Sequence, residues 1–384
     1  YLRKSIKLNP NFAEAHSNLG NILNNLGKLN EAELYLRKSI KLNPKYANAY
    51  SNLGIILKDL GNLQEAELYT RKAIELKPDY ADSHYNLGII LKDLGKLQDA
   101  ELPYRKAIQI KPDFADAYFN LSLIELLKGD YESGLKHYEL REKRKKGLSI
   151  QIKPNIQKID CWNFEKGEKL LIVSEQGLGD TLQFMRYIPI LKKQGLEISF
   201  CAQTKLHSII KASGIEQNPL TPEEVNKVSE GKWMPLLSLP RYLKVTPGNP
   251  IVTQPYIHST EKLVNKWKDI LSKERKPIVG INWQGNPKME KVKQKGRSIP
   301  LEKFSIIADN NEITMLSLQR GFGSEQLDHC LFKNKFVQCQ QQIDSIWDFL
   351  ENAAIIENCD LIITSDTSIA HLAGGMGKKV WVLL

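Results

Sequence analysis

A chain of 384 residues, 42% hydrophobic and 26% charged, has room for two or three globular domains and too much apolar content for a disordered protein. Its net charge of +10 leaves two readings open, a bias spread over helix surfaces or an attraction to anionic ligands. No stretch joins a basic stripe to a nucleic-acid-reading module, and no apolar run resembles a membrane span or a signal peptide, so neither nucleic acid nor a membrane span is expected.

Five scattered cysteines (Cys161, Cys201, Cys330, Cys339, Cys359) show no CxxC spacing, which argues against a disulfide framework or a zinc site and fits a reducing cytosol. The chain begins with Tyr1 rather than Met, opens within a helical pattern and stops within a strand pattern. A piece of a longer protein is therefore expected, with signals at its true termini out of view.

Residues 1–146 repeat themselves. Pro10, Pro44, Pro78 and Pro112 recur every 34 residues, as do Asn18, Asn52, Asn86 and Asn120, and the pairs Leu19-Gly20, Leu53-Gly54 and Leu87-Gly88. Ala32, Ala66 and Ala100 keep the same step, with Gly134 in the fourth copy. Small residues let paired helices approach, and Pro stops the second helix. This is the tetratricopeptide pattern of two antiparallel helices per unit, so an all-α solenoid is predicted. Residues 1–10 read as the tail of one repeat, 11–112 as three whole repeats, and 113–146 as a terminal, atypical one with Ser122 for Gly and Lys146 for Pro. The Asn column is either a set of solvated or capping sites, or a row of amides that pairs with an extended peptide backbone. The array resembles the superhelix of the O-linked N-acetylglucosamine transferases, in which an Asn ladder at this repeat position grips substrate polypeptide.

Arg141–Lys146 reads as a solvated helix end, and residues 147–167 as a linker. An apolar strand, Lys169–Ser174, then meets the turn Glu175-Gln176-Gly177-Leu178-Gly179-Asp180, followed by a helical pattern through Leu182, Met185, Ile188 and Leu191. Gly177 and Gly179 permit a tight bend and close approach of a ligand. Asp180, in the first helical turn, has an ordinary role as complement to the helix dipole. Glu197–Ala202 and Leu236–Leu239 are predicted as strands, Leu206–Ser213 and Glu261–Lys273 as helices. Residues 168–274 thus form a Rossmann-like α/β domain.

The second α/β domain, 275–384, opens with strand Pro277–Trp283 and the turn Gln284-Gly285-Asn286-Pro287. Lys291, Lys293, Lys295 and Arg297 follow, either as a solvated loop or as cations placed to neutralise a pyrophosphate. A strand at Ile313–Gln319 and a helix at Ile343–Glu357 lead to Leu361–Leu384, a strand, a turn (Ser365, Asp366, Thr367, Ser368), a small-residue helix from Ile369 to Met376, and a last strand. Polar side chains and free amides at the carboxyl end of a parallel strand, over a helix N-terminus, make this an anion or phosphate site.

Three motifs carry a resemblance over residues 168–384: Gly177-Leu178-Gly179-Asp180-Thr181-Leu182, Arg297-Ser298-Ile299-Pro300, and Asp366-Thr367-Ser368-Ile369-Ala370-His371-Leu372-Ala373. In this order they resemble glycosyltransferase family 9, the lipopolysaccharide heptosyltransferase-like group, with a two-domain GT-B fold truncated at its C-terminus. The resemblance implies Asp180 as general base, with Gly177 and Gly179 on the acceptor side. It implies Arg297 on donor phosphate, Asp366, Thr367, Ser368 and His371 cradling diphosphate and sugar, and Gly285 and Asn286 joining the donor set. Family members often carry Lys where Arg297 stands and Pro where Lys379 stands. The activity expected is inverting, cofactor-free transfer from a nucleotide-diphosphate sugar to a glycan or protein acceptor, in the cytosol or at the inner membrane face. No Asp-x-Asp pair occurs after Lys146, and no metal is expected. The other class of reading is a tetratricopeptide scaffold with a non-catalytic transferase-like domain.

Overall fold

The computed structural model describes residues 1–144, 154–159, 164–287, 296–309 and 312–384. The chain divides into two units, Tyr1–Leu148 with Thr246–Gly248, and Ser149–Val245 with Asn249–Leu384. No helix among the described residues is long and apolar enough to cross a membrane.

The first unit runs through α1 (Leu2–Leu8), α2 (Ala13–Asn25), α3 (Leu29–Leu42), α4 (Ala47–Asp59), α5 (Leu63–Leu76), α6 (Ala81–Asp93), α7 (Leu97–Ile110), α8 (Ala115–Leu127) and α9 (Tyr131–Tyr138). Helices pair as α2 with α3, α4 with α5, α6 with α7 and α8 with α9. The repeat glycine sets how closely they approach. A Cβ on Gly20 would lie 2.8 Å from Leu36 Cγ, one on Gly88 2.5 Å from Tyr104 Cε1, and one on Gly54 would overlap Thr70 Oγ1. Leu36, Thr70 and Tyr104 are fully buried, as are Ala32, Ala66 and Ala100. In the fourth pair the small residue changes sides: Gly134 on α9 admits Leu126, whose Cγ lies 2.8 Å from the position a Cβ would take.

A further column, Gly27, Gly61, Gly95 and Gly129, has φ between +74° and +88°. Each follows the first helix of its repeat, and the next N–H returns to that helix, Lys28 to the Leu23 carbonyl at 2.9 Å and Asn62 to the Leu57 carbonyl at 2.8 Å. Glycine suits this left-handed stop because a side chain there is strained. Leu19, Leu23, Leu53, Leu57 and Ile90 build one core, and Leu87, Leu91, Leu121 and Ile124 the next.

The charge run after α9 departs from the expected solvated end. Arg141 is 3% exposed and lies 4.7 Å over the Tyr138 ring; Arg144 donates to Asp116 at 2.7 Å and stacks 4.0 Å from the Phe119 ring. Guanidinium is weakly hydrated and sits well on aromatic faces, so the two arginines pack while their sequence context reads as solvent-facing. Lys145 and Lys146 lie outside the described residues.

The second unit holds two four-stranded parallel sheets. One is built from β1 (Gln157–Lys158), β2 (Lys169–Val173), β3 (Glu197–Cys201) and β4 (Lys232–Pro235) in the order β1-β4-β2-β3. The other uses β5 (Ile278–Asn282), β6 (Thr314–Ser317), β7 (Leu361–Ser365) and β8 (Val380–Leu383) in the order β6-β5-β7-β8. Central strands covered on both faces explain the unbroken apolar runs at Leu170–Val173 and Ile278–Ile281, all buried. The helices are α10 (Leu178–Phe184), α11 (Ile188–Lys193), α12 (His207–Ala212), α13 (Leu239–Tyr242), α14 (Glu261–Leu271), α15 (Ser305–Ala308), α16 (Gln340–Asp344), α17 (Phe349–Glu357) and α18 (Ser368–Gly375).

Four expectations shift. The strand predicted at Leu236–Leu239 lies earlier, at β4, where Trp233 pairs with Leu171; Leu236–Ser238 is a helical turn leading into α13, with Pro240 in its first turn. The apolar run could serve either form, and only pairing with β2 decides. The helix predicted over Ile343–Glu357 is two: the first ends at Asp344, and Asp348 starts the second by accepting from the Glu351 N–H at 3.3 Å. The pattern through Leu191 is α10, a 3-10 turn at Met185–Tyr187 and α11, with Pro189 opening α11. The linker contains β1, two residues long and therefore without a readable period.

The closeness of α6 and α7 gives a test. Gly88→Ala forces a methyl against the fully buried Tyr104 ring and should cost about 1–3 kcal/mol, the range for overpacking. The readout is a lower urea midpoint of the far-UV circular dichroism signal; an unmoved midpoint would show that the helix pair has slack.

Candidate functional site

In each sheet the chain leaves a central strand toward one side and later returns on the other. The reversal falls between β2 and β4 in the first sheet and between β5 and β7 in the second. Crevices open at the carboxyl ends of strands at such points. Three sets of candidate residues stand there: Glu175–Asp180 beyond β2, Trp283–Asn286 beyond β5, and Asp366–His371 beyond β7.

The turn after β2 is fixed by Gln203, just past β3. Its Nε2 donates to the Gln176 carbonyl at 2.8 Å and its Oε1 accepts from Thr181 Oγ1 at 2.9 Å. Gly177 caps α10 with φ −70°, and its N–H donates to Asp180 Oδ2 at 3.0 Å. Asp180 therefore does serve the helix N-terminus, as its ordinary reading has it, while its carboxylate remains only half-buried. The close approach at Gly179 is made by the protein itself: a Cβ there would lie 2.7 Å from His371 Cδ2 and 3.5 Å from Ser368 Cα. The N-termini of α10 and α18 thus rest on each other, and Tyr256 clasps them. Its N–H donates to the Gly375 carbonyl at 2.9 Å, and its hydroxyl to the Leu182 carbonyl at 2.9 Å.

Beyond β7, Thr367 is the N-cap residue of α18, yet its side chain makes no cap bond. Thr367 Oγ1 instead donates to Asn282 Oδ1 at 2.9 Å, tying the turn to β5. Asn282 is held in turn by Gln319, 3% exposed, beyond β6. Gln319 Oε1 accepts from Asn282 Nδ2 at 3.0 Å and from the N–H groups of Trp283 at 3.1 Å and Gln284 at 2.9 Å. The α18 N–H groups are thereby left uncapped by side chains, while the hydroxyl of Ser365, fully buried, has no partner among the described residues. Gly285 N–H donates to Ser298 Oγ at 3.2 Å, and Asn286 is exposed. Arg297 Nη1 donates to the Asp366 carbonyl at 2.7 Å and pairs with its carboxylate at 3.2 Å. Lys291, Lys293 and Lys295 lie outside the described residues, as does Cys161; the other four cysteines are unpaired.

These groups form one electrostatic cluster. Burial pushes the Asp180 carboxyl above the usual carboxylate range, and Asp366 adds to the push, while the Gly177 N–H, His371 and Arg297 favour the charged form. Burial lowers the His371 imidazole below its usual value; Asp180 and Asp366 oppose this, and Arg186 and Arg297 reinforce it. A half-buried carboxyl with a raised affinity for protons is suited to accepting one. Gln203, Gln319, Asn282 and Tyr256 carried no sequence signal, since an isolated amide or phenol in a loop looks like any other.

In the helical unit the Asn column is not uniform. Asn18 is exposed, Asn52 and Asn86 are half-buried, and Asn120 is 8% exposed. Asn86 Nδ2 donates to Ser51 Oγ at 3.2 Å and Asn120 Nδ2 to the Tyr85 hydroxyl at 3.3 Å, each reaching back to the preceding repeat. Asn18 and Asn52 side chains have no such bond among the described residues.

The tetratricopeptide repeat profile matches residues 13–46, 47–80 and 81–114. Residues 13–114 are tetratricopeptide repeats. Similar solved structures include a crystal structure of MamA, at 32% identity and a TM-score of 0.34, covering 36% of this chain and 81% of that one. A Pseudomonas aeruginosa pilF structure has 19% identity and a TM-score of 0.36, covering 38% and 68%. The first repeat domain of Spaghetti (RPAP3), solved with the HSP90 peptide SRMEEVD, has 22% identity and a TM-score of 0.30, covering 30% and 92%. No curated protein matches this chain.

Asp180 makes stability depend on pH. The folded chain binds its proton more tightly than the unfolded chain does, so Asp180 lowers stability as pH rises from the ordinary carboxylate range through the raised value. Asp180→Asn keeps an acceptor for Gly177 and removes the charge. It should gain stability relative to the parent as pH rises from about 4 to about 7. Losing the Asp180 charge also lowers His371 further, which penalises the variant only on the acid side, in the same direction. Thermal unfolding of both proteins across this range is the check; a difference independent of pH contradicts it.

Proposed function

We propose that the chain is a protein-interaction module whose repeat array holds an extended polypeptide. The carrying observation is the pair of unengaged amides at one repeat position, Asn18 and Asn52, on the first helices of consecutive matched repeats. A primary amide offers donor and acceptor together and so complements a peptide backbone without reading its side chains. Asn86 and Asn120 each commit one amide N–H within the array and would offer the second N–H and the carbonyl oxygen. Fluorescence anisotropy with a panel of unstructured peptides tests this. Asn18→Ala with Asn52→Ala should weaken binding about tenfold, at roughly 1 kcal/mol or less per lost hydrogen bond. Equal affinity in the double variant assigns the peptide to another surface.

A second reading is favoured by the convergence of Asp180, Arg297, Asp366 and His371 in the other unit. On this reading the unit is a GT-B glycosyltransferase of the family 9 type, moving a sugar from a nucleotide-diphosphate donor with inversion. Asp180 takes the proton of the acceptor hydroxyl as that oxygen attacks the anomeric carbon. The α18 amides and Arg297 stabilise charge gathering on the departing diphosphate. Thr367, Ser368, Gly285 and Asn286 line the donor side, and Gly177 the acceptor side, while Gly179 is covered by His371 and lets the two sides meet. The peptide held by the array is then either acceptor or partner. Asp180→Ala should leave nucleotide-sugar binding intact and lower turnover by about a hundredfold or more. Near-normal turnover removes Asp180 from this role, and absence of thermal stabilisation by any nucleotide sugar removes the donor site and leaves the scaffold.

A further inference from the structure

Two arginines act on the same imidazole, and they differ in what already holds them. Arg297 is engaged by the carbonyl and carboxylate of Asp366. Arg186, on the 3-10 turn that continues α10, makes no hydrogen bond and no ion pair among the described residues. Its guanidinium carbon stands 5.3 Å over the Tyr187 ring, and its Nε is buried with no acceptor. The charge of Arg186 reaches both His371 and the Tyr256 phenol, which burial pushes up to about 12. Arg186 follows Gln183 by three residues, and the Tyr256 hydroxyl approaches the Gln183 carbonyl at 3.4 Å, so Arg186 lies beside the clasp that joins α10 to α18.

A charged N–H withdrawn from water without a partner is unfavourable, and such a group calls for a ligand, an ion or a water to complete it. Charge balance points to an anion. Arg297 already shares its positive charge with Asp366, so an incoming phosphate calls for a second cationic partner. Arg186 supplies that charge from the side of the first sheet.

We propose that Arg186 is an oxyanion-binding residue of this site, taking two oxygens of a substrate phosphate group in a bidentate pair. The assignment rests on the donor reading and deepens it: the diphosphate would be held from both sheets, by the α18 amides on one side and by Arg186 on the other.

The probe is inorganic pyrophosphate, titrated calorimetrically into the full chain, with ADP and UDP as a second arm. Arg186→Gln should weaken pyrophosphate at least about tenfold, and Arg186→Lys, which keeps the charge without the planar fork, should fall between. Without ligand, Arg186→Gln should melt no lower than the parent, because it sheds an uncompensated charge. Equal affinity in parent and Arg186→Gln overturns the assignment, as does a lowered melting temperature with affinity unchanged, the mark of packing on Tyr187. If Arg186→Gln does not fold, Arg186→Lys decides: affinity equal to the parent overturns the bidentate pair. No pyrophosphate binding by the parent overturns both this assignment and the donor reading. Pyrophosphate bound through Arg186, with ADP, UDP and nucleotide sugars all failing to bind, sustains the residue's role and removes the donor reading alone.

Discussion

The missing side chain of Gly179 governs the second unit. Because nothing projects there, the first turn of α10 settles on His371 and Ser368, and two helix N-termini from different sheets share one small volume. Half-burial of Asp180, the neutral tendency of His371 and the reach of Arg186 and Arg297 all follow from that approach. A methyl at this position would overlap the imidazole and push the sheets' ends apart, dissolving the electrostatic cluster without touching any charged group.

The same logic of a small residue buying proximity recurs in the repeat array, with a different outcome. Gly20, Gly54 and Gly88 admit Leu36, Thr70 and Tyr104, partners of different size and polarity at one repeat position. The backbone geometry is therefore conserved from repeat to repeat while the packing is not. The array leaves hydroxyls of Thr70 and Tyr104 buried without hydrogen-bond partners among the described residues. Its surfaces inherit a strict 34-residue spacing of side chains.

The parts readable in the sequence were those with a period or a compositional edge. The helix pairs announced themselves through Pro and Leu-Gly recurrence, and β2, β5 and β7 through branched apolar runs that only a doubly covered strand needs. The turn Asp366–Ser368 was legible as a helix entrance, but its internal wiring was not. Thr367 turns away from its own helix toward Asn282, an interaction between residues far apart in the chain that no local rule anticipates. The strand expected at Leu236–Leu239 failed for a related reason: strand pairing is a tertiary decision, and the neighbouring MP and LP dipeptides sit on either side of the point where it changes.

Tyr256 carries a consequence for motion. The segment containing it descends between the two helices and is pinned to α18 by the backbone N–H groups of Tyr256 and Ile257, and to α10 by the phenol. A hinge that widens the gap between the sheets has to part Gly179 from His371 and to break the clasp at one end, either the phenol's bond to the Leu182 carbonyl or the two backbone bonds to the Gly375 carbonyl.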